Sequence, residues 1–401
     1  MRILLVNKFY FPQGGADLHV LQLEKLLTAA GHEVAIFAMA HPKNQPSPWS
    51  QYFVSQVDFS RIRFNWQGMR VLGRTLWSFE AARKMKKLLK DFQPDVVHIH
   101  NIYHQISPSI LPVIKKAGIP IVQTLHDYYL LSANYSLYAH GGICQHGKDG
   151  NFFSYVTHRC IKNSLAASAL SALEKYVHRG PMVYTKYVDH FVAPSEFMKD
   201  LTEDWLGRSM PMTVLHNPID AKPVSTSRTN RLLYVGRLSY EKGVDVLLRA
   251  LKGTDIALDI VGTGPEEESL HVLAEQLQLH HVAWHGYQSP EKIAEYMASA
   301  RALIVPSQWY ENYPLVILEA FAQGTPVIGA RMGGIPELVK DGVTGATFAA
   351  HNIEQLRTIV RDTQAHPERW TGMSAAMHQV VASHSTSAYI DRLQTLYASL
   401  R

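Results

Sequence analysis

Cysteine is scarce in this chain, which has 401 residues and only two cysteines, Cys144 and Cys160. So few cysteines exclude a disulfide-stapled fold and suit a reducing compartment. No apolar run reaches the roughly 18 residues that a membrane-spanning helix needs. The first apolar run, ILLV, is shorter than the apolar region of a signal peptide. We therefore expect a cytoplasmic protein, either free or peripheral on the inner face of the cytoplasmic membrane.

The excess of basic over acidic residues is also small, with 39 basic and 34 acidic residues and a net charge of +5. So mild a balance does not indicate a nucleic-acid partner, and none is predicted. The basic residues are unevenly placed, because residues 61–90 hold nine Lys or Arg and one acid, Glu80. This segment also carries Trp66 and Trp77. A basic amphipathic surface with aromatics fits contact with anionic lipid headgroups. An amphipathic helix packed on a sheet is the alternative.

A G-x-G-x-x-G fingerprint is missing as well, which disfavours a dinucleotide-dependent dehydrogenase. What the chain has instead is a regular alternation of buried strands and helical patterns. The strand-like runs are ILLV, HEVAIFAMA, VVHIH, IPIVQTLH, HFVAPS and TVLHN, then RLLYVG, LDIVG, VAWHG, ALIVPS and TPVIGA. Continuous apolar runs of this length are typical of parallel strands covered on both faces. A polar stretch at 221–230 separates the two series.

We therefore predict an α/β fold of two Rossmann-like, doubly wound domains that face a cleft. The first covers residues 1–215, carries an insertion at about 132–165, and is joined by a C-terminal helix at 385–401. The second covers residues 216–384. In open sheets of this kind, ligands bind at the carboxyl ends of the strands.

Two glutamates, Glu311 and Glu319, follow the strand-like run ALIVPS. Pro314 suits the first turn of a helix, which places Glu311 in the preceding loop and Glu319 inside the helix. Carboxylates accept paired hydrogen bonds from the diols of ribose or a hexose, and a helix N-terminus suits a sugar phosphate. The alternative is a surface helix with two solvated acids.

Two cations, Arg237 and Lys242, lie just beyond the strand-like run RLLYVG. Cations at a strand end can hold a diphosphate and neutralise its charge as a leaving group. Surface ion pairs are the alternative interpretation.

Glycine pairs and one histidine also follow predicted strands. Gly14-Gly15 would let a backbone loop approach a ligand closely, or would form a plain tight turn. Gly333-Gly334 precedes a helix start and could present free amides to a ligand. His126, at the end of IPIVQTLH, could donate to a sugar hydroxyl or carry a charge near a reaction centre. A histidine hydrogen-bonded for packing is its alternative.

Taken together, and followed by AFAQGTPVIGA, these motifs resemble family 4 of the retaining glycosyltransferases, of the bacterial surface-polysaccharide type, with the GT-B fold. The resemblance covers nearly the whole chain. It implies a retaining, metal-independent transferase without a cofactor. The enzyme would move a sugar from a UDP-sugar or GDP-sugar to the hydroxyl of a saccharide or lipid-linked acceptor. A nucleotide-sugar epimerase and a non-catalytic nucleotide-sugar-binding protein on the same fold are the alternatives.

The resemblance also implies roles for individual residues. Arg237 and Lys242 would grip the diphosphate, Glu319 would bind the ribose, and Glu311 would orient the donor sugar. The implied catalytic residues are Glu311, His126, Arg237 and Lys242. The implied donor-binding residues are Gly14, Gly15, Arg237, Lys242, Glu311, Asn312, Tyr313, Leu315 and Glu319. The family often has Phe-Gly-Leu where this chain has Tyr313-Pro314-Leu315. Because proline lacks an N–H, one amide donor is gone and the donor sugar stays undecided.

The insertion has a metal-like spacing of its own. Cys144, His146, His158 and Cys160 follow the order C-x-H…H-x-C, and thiolate and imidazole are zinc ligands. A plain insertion on the acceptor side, without metal, is the alternative.

Overall fold

The computed structural model describes residues 1–57 and 73–401. Strands β1 to β8 are Arg2–Val6, Glu33–Phe37, Val96–Ile99, Ile121–Thr124, Tyr138–Ala139, Gly142–Ile143, His190–Ala193 and Met212–Val214. Strands β9 to β14 are Leu232–Val235, Leu258–Val261, Val282–Trp284, Ala302–Val305, Val327–Ala330 and Gly345–Phe348.

The α-helices of the first half are Gly15–Ala29, Phe79–Phe92, Leu111–Lys116, Ser154–Thr157, Leu165–His178, Met182–Tyr187 and Glu196–Leu206. Those of the second half are Val244–Leu251, Glu267–Gln276, Pro290–Ser299, Leu315–Ala322, Ile335–Leu338, Ile353–Ala365, Pro367–Thr371, Ser374–Ser383 and Thr386–Ser399. Short 3₁₀ turns occupy Ser50–Tyr52, Pro108–Ile110, Tyr128–Leu130 and Tyr240–Lys242.

Twelve of these strands form two six-stranded sheets, ordered β2-β1-β3-β4-β7-β8 and β11-β10-β9-β12-β13-β14, and β5 and β6 form a separate antiparallel hairpin. Every neighbouring pair in both sheets is parallel. In the first sheet Leu4 pairs with Ala35 on one side and with Val97 on the other. All three side chains are fully buried, as the continuous apolar runs predict. The α/β fold of two doubly wound domains is therefore confirmed.

The chain reverses its winding direction once in each sheet. The reversal lies between β1 and β3 in the first sheet and between β9 and β12 in the second. Loops that leave the two strands at such a point diverge, and the crevice between them is where ligands bind in open α/β sheets. Four loops therefore border these crevices, namely those that follow β1, β3, β9 and β12.

The last helix, Thr386–Ser399, packs on the first sheet rather than on the second. Leu393 and Tyr397 are fully buried in one apolar cluster with Ile3 and Leu5 of β1. This contact supports the predicted assignment of the C-terminal helix to the first domain. The chain crosses between the domains through residues 215–231, which contain no helix or strand. The exact domain boundaries stay a prediction.

The basic segment is only partly within the described residues, because Trp66 lies outside them. The described helix Phe79–Phe92 buries one apolar face that includes Met85 and Leu88. Phe79 is 78% exposed at the start of that helix. Among the described residues, no helix combines the length and apolar character that a bilayer crossing requires.

Candidate active site

The centre of the site is a buried cluster around Glu311, in the loop between β12 and the helix Leu315–Ala322. Its Oε1 accepts hydrogen bonds from Lys242 Nζ at 2.7 Å, Ser307 Oγ at 2.6 Å and Trp309 Nε1 at 2.9 Å. Lys242 belongs to the loop after β9, and Glu311 belongs to the loop after β12. The pair therefore joins the two loops that diverge at the reversal point of the second sheet. The sequence motifs named the two charges separately and did not show that they form a pair.

The environment keeps Glu311 ionised. Burial by itself raises the pKa of Glu311, but Lys242, together with Ser307 and Trp309, brings that pKa below its ordinary value. Lys242 Nζ also lies 5.0 Å from the centre of the Trp309 ring, within the range of a cation–π contact. The result is a fixed ion pair with little freedom to rotate. Ser307 and Trp309 are residues of this cluster that the sequence motifs did not identify.

Close backbone packing holds the two loops together. Gly243 has φ +68°, and a Cβ there would lie 2.1 Å from the carbonyl oxygen of Pro306. Next to this contact, the amide of Gln308 donates to the carbonyl of Glu241 at 2.8 Å. Glycine is therefore required at position 243 for the loop with Lys242 to reach the loop with Glu311.

The Gly333-Gly334 loop supports the same cluster from behind. The amide of Gly334 donates to the carbonyl of Glu311 at 2.7 Å. A Cβ on Gly333 would lie 2.1 Å from that carbonyl oxygen. The prediction of free ligand-facing amides is therefore wrong for Gly334, whose amide is used to position Glu311.

Glu319 lies beyond Glu311, in the helix Leu315–Ala322, and Arg237 precedes Lys242 in the loop after β9; both have unused hydrogen-bonding capacity. Glu319 is in the helix Leu315–Ala322, and burial raises the pKa of its carboxyl group. Within residues 1–57 and 73–401, nothing hydrogen-bonds to or ion-pairs with its carboxylate. Arg237 is exposed directly after β9, and its guanidinium likewise makes no hydrogen bond or ion pair to a described residue.

Across the cleft, the first sheet presents histidines. His126 follows β4 and His100 follows β3, and His126 Nε2 lies 2.8 Å from His100 Nδ1. The ring of His19, from the helix Gly15–Ala29, lies 5.1 Å from that of His126. His98 extends the row, with its ring 4.3 Å from that of His100. Four neighbouring imidazoles thus lie near the carboxyl ends of the strands in the first sheet.

These imidazoles are neutral near pH 7. Burial lowers the pKa of His19 to about 4. Burial and the nearby His19 lower the pKa of His98 to about 3. Burial, followed by the neighbouring histidines, holds the pKa values of His100 and His126 well below the ordinary value. His126 can therefore exchange a hydrogen bond with a hydroxyl. The alternative role, a positive charge near the reaction centre, does not fit.

The loop after β1 has polar neighbours that the motifs did not identify. Asn7 donates from Nδ2 to Asp17 Oδ1 at 2.8 Å and accepts from the amide of Asn101 at 3.2 Å. Gly14 and Gly15 are exposed at the start of the helix Gly15–Ala29, and a Cβ on Gly15 would meet no atom within 4 Å. Neither glycine needs a positive φ. Open space above this helix start, rather than backbone strain, therefore marks it as ligand-accessible.

Direct contacts bring the two sides of the site together. Asn312 Nδ2 donates to the carbonyl of His126 at 2.5 Å. Nearby, the carboxylate of Glu337 accepts from the amides of Glu196 and Phe197 at 3.1 and 2.7 Å. These amides begin the helix Glu196–Leu206 of the first domain, so Glu337 caps that helix from the other domain.

Tyr313 points its side chain away from the predicted donor position. Its ring stacks on His216 with centroids 4.6 Å apart and an interplanar angle of 2°. Its hydroxyl lies 2.5 Å from His384 Nε2. Tyr313 therefore ties the site loop to the two chain segments that connect the domains. Any donor contact of residues 313–315, including Leu315 at the first helical position, would come from the backbone.

The metal-like motif of the insertion is brought together only in part. The ligand atoms of Cys144, His146 and Cys160 lie within 4.8 Å of one another. His158 does not join that set, because its Nδ1 lies 3.0 Å from the carbonyl of Ser154. Its ring stacks on His146 with centroids 3.9 Å apart.

Two doubly wound parallel sheets, with charged and polar loops meeting between them, define the GT-B class of glycosyltransferases. Residues 13–222 match the family described as Glycosyltransferase Family 4, and residues 217–371 match the family described as Glycosyl transferases group 1. The chain therefore belongs to glycosyltransferase family 4, which confirms the resemblance drawn from its motifs.

Individual relatives agree with this assignment. An uncharacterized 42.6 kDa protein in the cps region of Klebsiella pneumoniae is 26% identical over 355 residues, covering 84% of this chain and 87% of the relative. The glycogen synthase of Mycobacterium tuberculosis is 28% identical over 417 residues, covering 96% and 91%. Among solved structures, HepE of Anabaena in complex with UDP-glucose superposes with a TM-score of 0.68 at 18% identity, covering all of both chains.

Proposed function

We propose that this protein transfers a sugar from a UDP-sugar to an acceptor hydroxyl, with retention of the anomeric configuration. The observation that carries the proposal is the buried Lys242–Glu311 pair at the reversal point of the second sheet, opposite His126. Family membership makes the chain a glycosyltransferase, and this pair is the fixed charge in its cleft. The epimerase and binding-protein alternatives lack a comparable supporting observation.

The chemistry that such a site performs follows from where charge develops. As the bond from the anomeric carbon to the diphosphate breaks, positive charge grows on the sugar ring and negative charge grows on the leaving diphosphate. Lys242 and Arg237 are the cations that would stabilise the diphosphate. A preorganised donor of this kind lowers the barrier by about 3 kcal/mol. The acceptor oxygen bonds to the anomeric carbon, and the leaving phosphate oxygen takes the acceptor proton, so the step needs no further base.

The remaining site residues orient the donor. Glu319 has the unused, partly buried carboxylate that a ribose diol would satisfy. Neutral His126 would share a hydrogen bond with a hydroxyl of the transferred sugar. UDP is preferred to GDP because the HepE structure of the same fold holds UDP-glucose.

The proposal is tested by thermal-shift measurements and transfer assays with UDP-glucose, UDP-galactose, GDP-mannose and ADP-glucose. We expect stabilisation by a UDP-sugar and a product whose anomeric coupling in proton NMR matches that of the donor. Stabilisation by none of the donors, or a product of inverted configuration, would contradict the proposal. Stabilisation by GDP-mannose alone would indicate that the donor is a GDP-sugar rather than a UDP-sugar.

The acceptor that we propose is a lipid-linked saccharide or surface polysaccharide, at the inner face of the cytoplasmic membrane. The relative from Klebsiella pneumoniae is described as a protein of the cps region, which fits this acceptor class. The outer face of the helix Phe79–Phe92 supports membrane contact, because it exposes Arg83, Lys86, Lys87 and Lys90. Phe79 adds an exposed aromatic ring at its start.

Vesicle co-sedimentation tests the membrane contact. We expect salt-sensitive binding to vesicles with anionic lipid, weakened by the double variant Lys86→Glu/Lys87→Glu, since each basic residue contributes about 1 kcal/mol near such a surface. Arg249→Glu/Lys252→Glu makes the same charge change on exposed residues of the other domain and serves as the matched control. Equal loss in both double variants would indicate a net-charge effect and count against this face.

A further inference from the structure

Away from the proposed active site, the insertion between β4 and the helix Leu165–His178 gathers two thiols and an imidazole. Cys144 Sγ, Cys160 Sγ and a ring nitrogen of His146 lie within 4.8 Å of one another. Both cysteines are free and buried. The ligands come from two pieces of the insertion, because Cys144 and His146 follow the β5–β6 hairpin and Cys160 follows the helix Ser154–Thr157.

The insertion has little regular secondary structure. Its regular structure consists of the two-residue strands β5 and β6 and the four-residue helix Ser154–Thr157. Its apolar cluster contains six buried residues, and Cys144 and Cys160 are two of them. Non-glycine residues with positive φ are frequent here, and they are Leu137, His140, Arg159, Lys162 and Asn163. A conformation of this kind persists where surrounding contacts over-determine it.

We propose that Cys144, His146 and Cys160 bind one structural Zn²⁺ ion. Zinc prefers thiolate and imidazole ligands at about 2.3 and 2.0 Å, in tetrahedral geometry. Such a geometry separates the ligand atoms by roughly 3.5 Å, so any pair of ligand atoms in the observed cluster needs to approach by at most about 1.3 Å. His158, stacked on His146, is the neighbouring imidazole that completes the fourth position when its Nδ1 releases the carbonyl of Ser154.

The ion would fix a part of the insertion that contacts the opposite domain. Tyr138, in β5, donates its hydroxyl to Gln308 Oε1 at 3.0 Å. Gly141, at the hairpin turn, faces Tyr240, whose hydroxyl would lie 3.2 Å from a Cβ at that glycine. Tyr240 is in the same loop as Lys242. A zinc-anchored insertion would therefore brace the loop that carries the proposed diphosphate-binding lysine.

A cavity of about 460 Å³ runs between these two elements. Tyr138, His140 and Cys160 line it on the insertion side, and Tyr240 and Glu241 line it on the other. Cys160 thus connects the ligand cluster to the surface that meets the second domain. Loss of the ion is expected to loosen this contact before it affects either sheet.

The direct test is the metal content of the full chain, purified without a histidine tag from medium that contains zinc. We expect about one zinc per chain by mass spectrometry of the metal. Cys144→Ser and Cys160→Ser should each reduce the bound zinc at least tenfold. His280→Ala, which removes an exposed imidazole of the other domain, should leave it unchanged. Wild-type protein without zinc would overturn the proposal, and so would cysteine variants with full zinc content.

A second measurement guards against variants that fail to fold. Wild-type protein treated with a chelator should become sensitive to limited proteolysis within residues 132–163, and added Zn²⁺ should restore protection. Replacement by Co²⁺ should produce the thiolate-to-cobalt charge-transfer absorption. An intact-mass measurement that finds a Cys144–Cys160 disulfide in protein from a reducing cytoplasm would contradict the metal site. These measurements are independent of sugar transfer, so the failure of either proposal leaves the other standing.

Discussion

The two sheets share one architecture and carry opposite chemistry at their carboxyl ends. The second sheet places an ion pair, between the half-buried Lys242 and the buried Glu311, at its reversal point. The first sheet places a row of buried imidazoles there, which burial keeps neutral, with His126 at its end. The comparison shows that strand order determines where a site lies but not which charge the site carries.

This division suits a reaction in which charge separates. In the proposed reaction the leaving diphosphate would collect negative charge, and the fixed cations on the second domain's side of the cleft would stabilise it. A second charged wall would hold water and compete for those cations, whereas a neutral wall can hydrogen-bond to hydroxyls. The difference between the two domains can be tested by removing charge from the second domain's side of the cleft or by adding charge to the first domain's side.

The largest effect is expected from breaking the ion pair. Lys242→Ala and Glu311→Gln should each lower kcat/KM by about 100- to 1000-fold, the usual cost of losing a preorganised electrostatic group. Lys242→Ala also leaves a buried carboxylate unpaired, so its Tm should fall further than that of Glu311→Gln. Steady-state kinetics and thermal melting check both statements.

Lys252→Ala, at an exposed position of the same domain, is the control for that experiment. Activity near the wild-type level in a folded Glu311→Gln variant would show that the pair is structural only.

A smaller effect is expected at Glu319. Removing its charge with Glu319→Gln should raise the donor KM roughly tenfold or more while changing kcat little, because a hydrogen bond to a charged group is worth about 1.5–3 kcal/mol. Titration with the free nucleoside diphosphate by calorimetry should show the same loss. A fall in kcat at constant KM would instead place Glu319 at the reacting sugar.

The buried, neutral histidines predict that the first domain loses stability in acid. His19 and His98 have pKa values of about 4 and 3, lowered by burial, against about 6.5 in an unfolded chain. Below pH 6.5 the unfolded chain therefore binds protons that the folded chain does not. Each such histidine costs about 1.4 kcal/mol of stability per pH unit as pH falls from 6.5 toward 4.

Urea unfolding at a series of pH values tests this slope. His19→Asn should make it shallower by about 1.4 kcal/mol per pH unit, and the control His280→Ala should not. Parallel slopes for the wild type and His19→Asn would contradict the assignment of a neutral, buried His19.

The smallest effect concerns the link from the histidine row to the last helix. The hydroxyl of Tyr397 lies 2.6 Å from His98 Nδ1. Tyr397→Phe should lower the unfolding free energy by about 1 kcal/mol, the net value of one buried hydrogen bond. Tyr287→Phe, at a site that is 81% exposed, is the matched control. An unchanged Tm in Tyr397→Phe would show that His98 finds another partner.

The sequence predicted most of the fold because its strands are continuous apolar runs. It missed β14, whose residues, Gly345–Phe348, include a glycine and a threonine and leave only a short apolar signal. The sequence patterns also did not predict the hairpin of β5 and β6, since two-residue strands have no periodicity. Local patterns report burial, and these short strands pair only because the fold brings them together.

The site was predicted residue by residue but not as an assembly. Lys242 and Glu311 are separated by 69 positions, and no local pattern encodes such a contact. Trp309 and Ser307 look like ordinary loop residues until the fold turns them onto Glu311. Tyr313 illustrates the converse, because a residue inside the motif directs its side chain to the interdomain connection.

The return of the last helix to the first sheet has a consequence for how the chain is made. Ile3 and Leu5 leave the ribosome well before Leu393 and Tyr397, which cover them. The half that is synthesised first is therefore the half that completes its core last. During that interval its sheet exposes an apolar face, and nascent chains of this kind depend on chaperones to avoid association.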